Sequence, residues 1–139
     1  MKYLVDTNLL SEPQRARPDP AAVRFLEQTD PKRLFVSVVT LGEVTAGIRR
    51  LTDERRRRRL ADWIGAAKEH FGDRLLTFDA DCAEAWGDLT ARALDRGIGV
   101  SVPDAMLAAT AAHHGLVVAT RNVRDFEPLG TRTLNPWQG

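Results

Sequence analysis

The chain has 139 residues, enough for one domain with a sizeable core, and its composition, 43% hydrophobic and 28% charged, is that of a globular protein. Its formal net charge of +1 is too near zero to mark a nucleic-acid binder by itself. No apolar stretch approaches the roughly 20 residues needed to span a bilayer, and the lone Cys82 excludes an internal disulfide and a thiolate metal cluster.

The first residues show no signal-peptide pattern, so the cytoplasm is the expected compartment. Lys2–Val5 reads as a strand, and it ends abruptly in the polar run Asp6-Thr7-Asn8. Pro13, Pro18 and Pro20 then keep the following stretch from being regular helix throughout. Asp19-Pro20 is a cap and first-turn pair for a helix reaching about Gln28. Leu34–Val38 is a second strand, and Leu41–Leu51 and Glu54–Phe71 are helical, parted near Asp53. Leu75–Phe78 is a third strand. Asp79 caps a long helix that runs to Arg96 and ends at Gly97. Ser101–His114 is a helix stopped by Gly115, Leu116–Thr120 is a fourth strand, and Arg132–Leu134 is a short fifth.

Strands that alternate with helices predict an α/β domain over residues 1–139, with a parallel sheet of four to five strands flanked by helices. The runs "FVSVV" and "LVVA" are continuously apolar, as buried parallel strands require. No repeat, low-complexity segment or interdomain linker interrupts the pattern.

Open parallel sheets bind ligands outside the carboxyl ends of their strands. Asp6 closes the first strand, Glu43 follows the second, Asp104 opens the helix before the fourth, and Asp125 comes soon after the fourth. Carboxylates crowded at one edge raise one another's pKa. A hard divalent cation with oxygen ligands relieves that repulsion, and it can polarise a phosphodiester and activate water. Each acid also has a plainer role. Thr40-Leu41-Gly42-Glu43 fits a capping box and Ser101-Val102-Pro103-Asp104 resembles one, while Asp6 and Asp125 suit turns.

The segments "YLVDTNLLSE", "SVVTLGEV", "VPDAMLAATA" and "ATRNVRDF" together resemble the PIN-domain ribonucleases, especially the VapC-type and FitB-type toxins of toxin–antitoxin pairs. The likeness runs from Met1 to "LNPW". It implies metal-dependent cleavage of RNA, with an acidic site at Asp6, Glu43, Asp104 and Asp125 holding one or two Mg²⁺ or Mn²⁺ ions. Thr120 and Asn122 would lie in the polar surroundings of the last acid, with Asn8 as a support. The resemblance also implies a cognate antitoxin. A symmetric homodimer is expected from the prevalence of such pairs, built on the helical surface near Leu41–Phe71.

Arg15 and Arg17, in the loop after the first strand, are placed to meet an RNA phosphate backbone near Asp6, and Arg121 and Arg124 flank Asn122 to do the same or simply to offset the acidic site. The run "ERRRRR" covers more than one helical turn, so it reads as a solvated helix start. His113 and His114 suit the dipole at a helix C-terminus. Cys82, Trp86, Leu89 and Ala93 share one core face. Trp63 reads as core or interface, Trp137 as packing the tail, and Glu12 as an acid without a role. Four other functions compete. A receiver-type phospho-switch wants a lysine after the fourth strand, and Lys2, Lys32 and Lys68 all precede it. A dinucleotide-binding domain wants a glycine-rich turn after the first strand. A structure-specific DNA nuclease keeps the same chemistry, and a non-catalytic module keeps only the fold.

Overall fold

Hydrophobic patterning sorts the chain into strands buried on both faces and helices with one apolar stripe. The computed structural model describes residues 1–138. Its strands are β1 (Tyr3–Val5), β2 (Leu34–Ser37), β3 (Leu75–Leu76), β4 (Val117–Ala119) and β5 (Thr133–Leu134). They form one parallel sheet in the order β3-β2-β1-β4-β5. The helices are α1 (Thr7–Ser11), α2 (Pro20–Gln28), α3 (Val38–Arg49), α4 (Glu54–Phe71), α5 (Ala80–Asp95), α6 (Val102–His114) and α7 (Val123–Phe126). The expected parallel α/β sheet flanked by helices is the observed fold.

Neighbouring strand residues point to opposite faces. Leu4 therefore packs with Ala105, Ala108, Val118 and Phe126 on one side of the sheet, and Val5 with Leu9, Val36, Val44 and Ala119 on the other. In α6, Ala105 and the run Leu107–Ala111 are all buried. Such a helix is apolar around most of its circumference and lies inside the molecule. Gly115 ends it at φ 67°, a left-handed conformation that only glycine adopts without strain. Cys82 and Ala93 of α5 are buried, and Trp86 and Leu89 are half-buried, as their helical spacing predicts.

The chain builds outward from β1 to β2 and β3, then crosses over to β4 and β5. The strand order therefore reverses between β1 and β4. Their carboxyl ends flank the crevice where open α/β sheets place ligands. Asp19, Asp53 and Asp79 cap α2, α4 and α5 as predicted.

One local expectation fails. The helix expected from Leu41 begins at Val38, because the Ser37 hydroxyl accepts from the Val39 amide and caps it there. Thr40 is therefore buried within α3 and is no cap, and Glu43 lies in the second turn rather than at the third position. The polar run after β1 also holds a short helix, α1, before the prolines take over. Among the described residues, the large apolar side chains most exposed are Met1, Leu94, Val102 and Leu134, all outside the 41–71 surface nominated for a dimer. No described helix is long and apolar enough to cross a membrane.

Candidate active site

The run "VDTN" ends a buried strand on an acid because Asp6 turns the chain into α1. Its Oδ1 accepts from the Leu9 amide at 2.8 Å, so Asp6 is the N-cap. Its Oδ2 accepts from the Thr120 hydroxyl at 2.6 Å. Thr120 follows β4 and is fully buried, and its Oγ1 accepts in turn from the Asn122 amide at 3.0 Å. The two strand ends that flank the crevice are thus joined through one carboxylate. Asp6 is 5% exposed, so this is a carboxyl group held nearly out of water.

Thr7, the next residue, donates from Oγ1 to Glu43 Oε1 at 2.7 Å. That bond ties the start of α1 to α3 and turns Glu43 toward the β1 end. Asp104 stands in the first turn of α6, where its amide donates to the Ser101 hydroxyl at 3.2 Å. The Ser101 cap is therefore real, and the Asp104 carboxylate stays free for another partner.

Three of the acids lie close enough to act on one another's charge. Burial pushes the Asp6 pKa above the ordinary carboxylate value. The hydrogen bonds from Thr120 and Leu9 oppose that rise, and the charges of Asp104 and Glu43 add to it. Asp6, Glu43 and Asp104 are therefore one electrostatic cluster. The fourth nominated acid is Asp125. It lies in the first turn of α7 and lines an adjoining cleft of about 310 Å³ with Arg121, Asn122, Arg124 and Asn135.

The donor set fits a hard divalent cation. It is all oxygen, it carries three negative charges, and one member is buried against their repulsion. No group of three that includes Asp6 closes to within 4.8 Å among the described residues.

The other nominated residues separate clearly. Asn8 is exposed on α1, and its side chain makes no hydrogen bond among the described residues. Arg15 faces Glu12, with Nε 3.7 Å from Oε2, and Arg17 is exposed. Thr7 was missed because its partner lies 36 residues away in sequence. Glu12, to which no local pattern gives a role, is 3% exposed and accepts from the Trp137 indole at 3.1 Å. A second group, Asp79, Asp81 and His113, gathers its ligand atoms within 4.8 Å of one another. Its signal is the pairing of "DAD" at the start of α5 with a histidine at the end of α6. All three residues are exposed. His113 is nine residues beyond Asp104 on α6, about 13 Å along the helix axis, so this group is not the site at Asp6.

A parallel sheet with a buried acid at a strand end beside its switch point defines a class that sequence comparison also identifies. The PIN domain model matches residues 3–129, and the chain belongs to the PIN-domain family. The plasmid stability protein StbB of Pseudomonas syringae pv. tomato is 34% identical, over 97% of this chain and 98% of its own length. VapC ribonuclease Y4jK of Sinorhizobium fredii is 32% identical over 97% of each chain. Toxin FitB of Neisseria gonorrhoeae is 30% identical over 96% of this chain and 97% of its own. Among solved structures, FitAcB from N. gonorrhoeae superposes with a TM-score of 0.94 and 29% identity, covering 99% of both chains.

Proposed function

We propose that the chain is a metal-dependent endoribonuclease that acts as the toxin of a toxin–antitoxin pair. The observation that carries the reading is Asp6. It is a buried carboxylate at the switch point, its ionisation opposed by burial and by two more carboxylates. Such an arrangement is costly by itself and becomes favourable once a cation is held. The likeness to a VapC ribonuclease and to a FitB toxin supports RNA as substrate and toxicity as outcome.

Asp6, Glu43 and Asp104 would hold Mg²⁺ or Mn²⁺, with Asp125 as the fourth acid. The bound ion supplies Lewis-acid polarisation of a phosphoryl oxygen and neutralises the charge that develops there. The chain's own groups do the rest. Thr120 and the Leu9 amide fix both oxygens of Asp6, so its lone pairs keep one orientation. Thr7 fixes Glu43 in the same way. A carboxylate of the cluster takes the proton from an attacking water. Arg121 and Arg124, at the rim of the adjoining cleft, bind the phosphates on either side of the cut. No covalent intermediate with a side chain is required.

The antitoxin is proposed to lie in a groove of about 260 Å³ between α1, α3 and α4. Its walls include Ile48, Leu51, Leu60 and Trp63, and Glu43 stands at its edge. That surface suits a segment with apolar anchors and one basic side chain directed at the acids. A symmetric homodimer belongs to the same proposal and is checked by light scattering.

The test uses purified chain freed of any inhibitor, with matched RNA and DNA oligonucleotides. RNA should be cut with Mg²⁺ or Mn²⁺, and cutting should cease with EDTA. Cleavage of DNA in preference to RNA, or cleavage that persists in EDTA, would overturn the proposal.

A further inference from the structure

Glu12 is a charged residue held at 3% exposure, and the mechanism above does not use it. It stands just after α1, whose cap is Asp6. Its Oε1 accepts from Trp137 Nε1 at 3.1 Å, across 125 residues of sequence. Its Oε2 is buried and accepts no hydrogen bond among the described residues, with Arg15 Nε 3.7 Å away. Burying a carboxylate on so few partners carries a desolvation cost. The indole that it holds lies beneath a second cation, since the Arg121 guanidinium sits 5.6 Å from the Trp137 ring centroid. That is within cation–π range. Arg121 directly follows Thr120, the residue that donates to Asp6. Its backbone is therefore fixed by the active site, and its exposed side chain is fixed by the tail. Arg121, Asn135 and Gln138 all line the cleft that also holds Asp125.

We propose that Glu12, Trp137 and Arg121 form a positioning unit, in which Glu12 anchors the indole and the indole holds the guanidinium at the cleft to receive one phosphate of the RNA strand. The turn Pro136–Gln138 is then part of the substrate site, and not merely a packed tail. Glu12 and Trp137 are positioning residues, acting through Arg121. The proposal rests on the ribonuclease reading of the Asp6 cluster, and it goes beyond that reading by assigning the C-terminal turn to strand binding.

A double-mutant cycle tests it. Binding of a labelled single-stranded RNA is followed by anisotropy in EDTA, and KM and kcat are measured with Mn²⁺. Arg121→Ala should weaken binding about tenfold, as loss of a charged hydrogen bond does. It should also lower the slope of log affinity against log salt by about 0.7, one phosphate's share. Trp137→Leu keeps apolar bulk but removes the ring face and the N–H. It should raise Kd and KM several-fold with kcat within twofold, and should change Kd less than twofold when Arg121 is already Ala. Glu12→Ala should match Trp137→Leu, while Glu12→Gln, which keeps an acceptor for the indole, should stay within twofold of wild type. Effects of Arg121→Ala and Trp137→Leu that multiply would overturn the unit. So would a fall in kcat at unchanged KM, or equal losses in the two Glu12 variants. If Trp137→Leu melts below the assay temperature, Trp137→Phe replaces it. That variant keeps a smaller aromatic face but loses the N–H that Glu12 accepts, so it should bind no better than Glu12→Ala, and wild-type affinity would overturn the proposal. Wild-type protein that neither binds nor cuts RNA would defeat the ribonuclease reading, and this unit with it. Active wild type with an additive cycle would defeat the unit alone.

Discussion

The helix α6 has acids at both ends, and the two groups behave in opposite ways. At its start, Asp104 and Glu43 help push the pKa of Asp6 upward, in surroundings where burial is the largest cause. At its far end, Asp79 caps α5 beside Asp81 and His113, and its pKa is lowered. The hydrogen bond from the Cys82 amide is the main cause, and the two histidines add to it. The Asp79 group is geometrically tighter, with its ligand atoms within 4.8 Å. Yet every member is exposed, and each charge already has water, an amide or an imidazole to face. The Asp6 group is looser but has one member out of water and, among the described residues, no basic side chain bonded to it. Proximity alone does not make a metal centre. What distinguishes one is a charge that the protein leaves uncompensated.

The largest test of this contrast is catalytic. Asp6→Asn keeps the shape of the cap, and its amide can donate to Thr120 where the carboxylate accepted. It should abolish RNA cleavage while the far-UV spectrum and the cooperative melt are retained. Asp79→Asn, which remains a good cap, should cut RNA at the wild-type rate. Equal rates for wild type and Asp6→Asn would break the comparison at its centre.

A smaller effect concerns stability without metal. Asp104→Asn removes one of the charges that oppose Asp6, so in EDTA it should melt at or above the wild-type temperature. If Asp104 only serves the helix dipole, the same change should cost up to about 1 kcal/mol. A lower melting temperature in EDTA would therefore count against the cluster.

The smallest effect is in pH dependence, and its sign separates the two ends. A carboxyl whose folded pKa is raised favours folding when protonated. The Asp6 contribution is therefore fully present below its unfolded value near 3.8, and is lost as pH rises through the raised folded value. The Asp79 contribution runs the other way. It is present above 3.8 and is lost as pH falls through the lowered folded value. Urea melts in EDTA across this range should show opposite trends when wild type is compared with Asp6→Asn and with Asp79→Ala. The same trend in both would mean that the two environments do not differ as described.

Much of this was legible in the sequence, because the signals were local. Asp19-Pro20, Asp53 and Asp79 announce helix starts through their own backbone bonds, and Gly115 announces a stop. Continuous apolar runs mark the strands because parallel strands are covered on both faces. Asp6 and Asp104 could be nominated because strand ends of such sheets face one crevice. The run "FVSVVT" misled, since β-branched residues favour strands, whereas the Ser37 hydroxyl turns the chain into a helix at Val38. Thr7 and Glu12 were not legible for a different reason. Their partners, Glu43 and Trp137, are 36 and 125 residues away, and no local spacing encodes such a contact. The position of Asp125 beside an arginine-lined cleft likewise depends on how α7 packs.

The most direct measurement is a calorimetric titration of Mn²⁺ into wild type, Asp104→Asn and Asp81→Ala. A cation bound only by the native state would stabilise it by about 2.7 kcal/mol at a hundredfold excess over Kd, so melting in Mn²⁺ provides an independent check. The account predicts that wild type and Asp81→Ala bind Mn²⁺ alike, and that Asp104→Asn binds it at least tenfold more weakly. Binding that survives in Asp104→Asn and is lost in Asp81→Ala would contradict it, and would place the metal at the wrong end of α6.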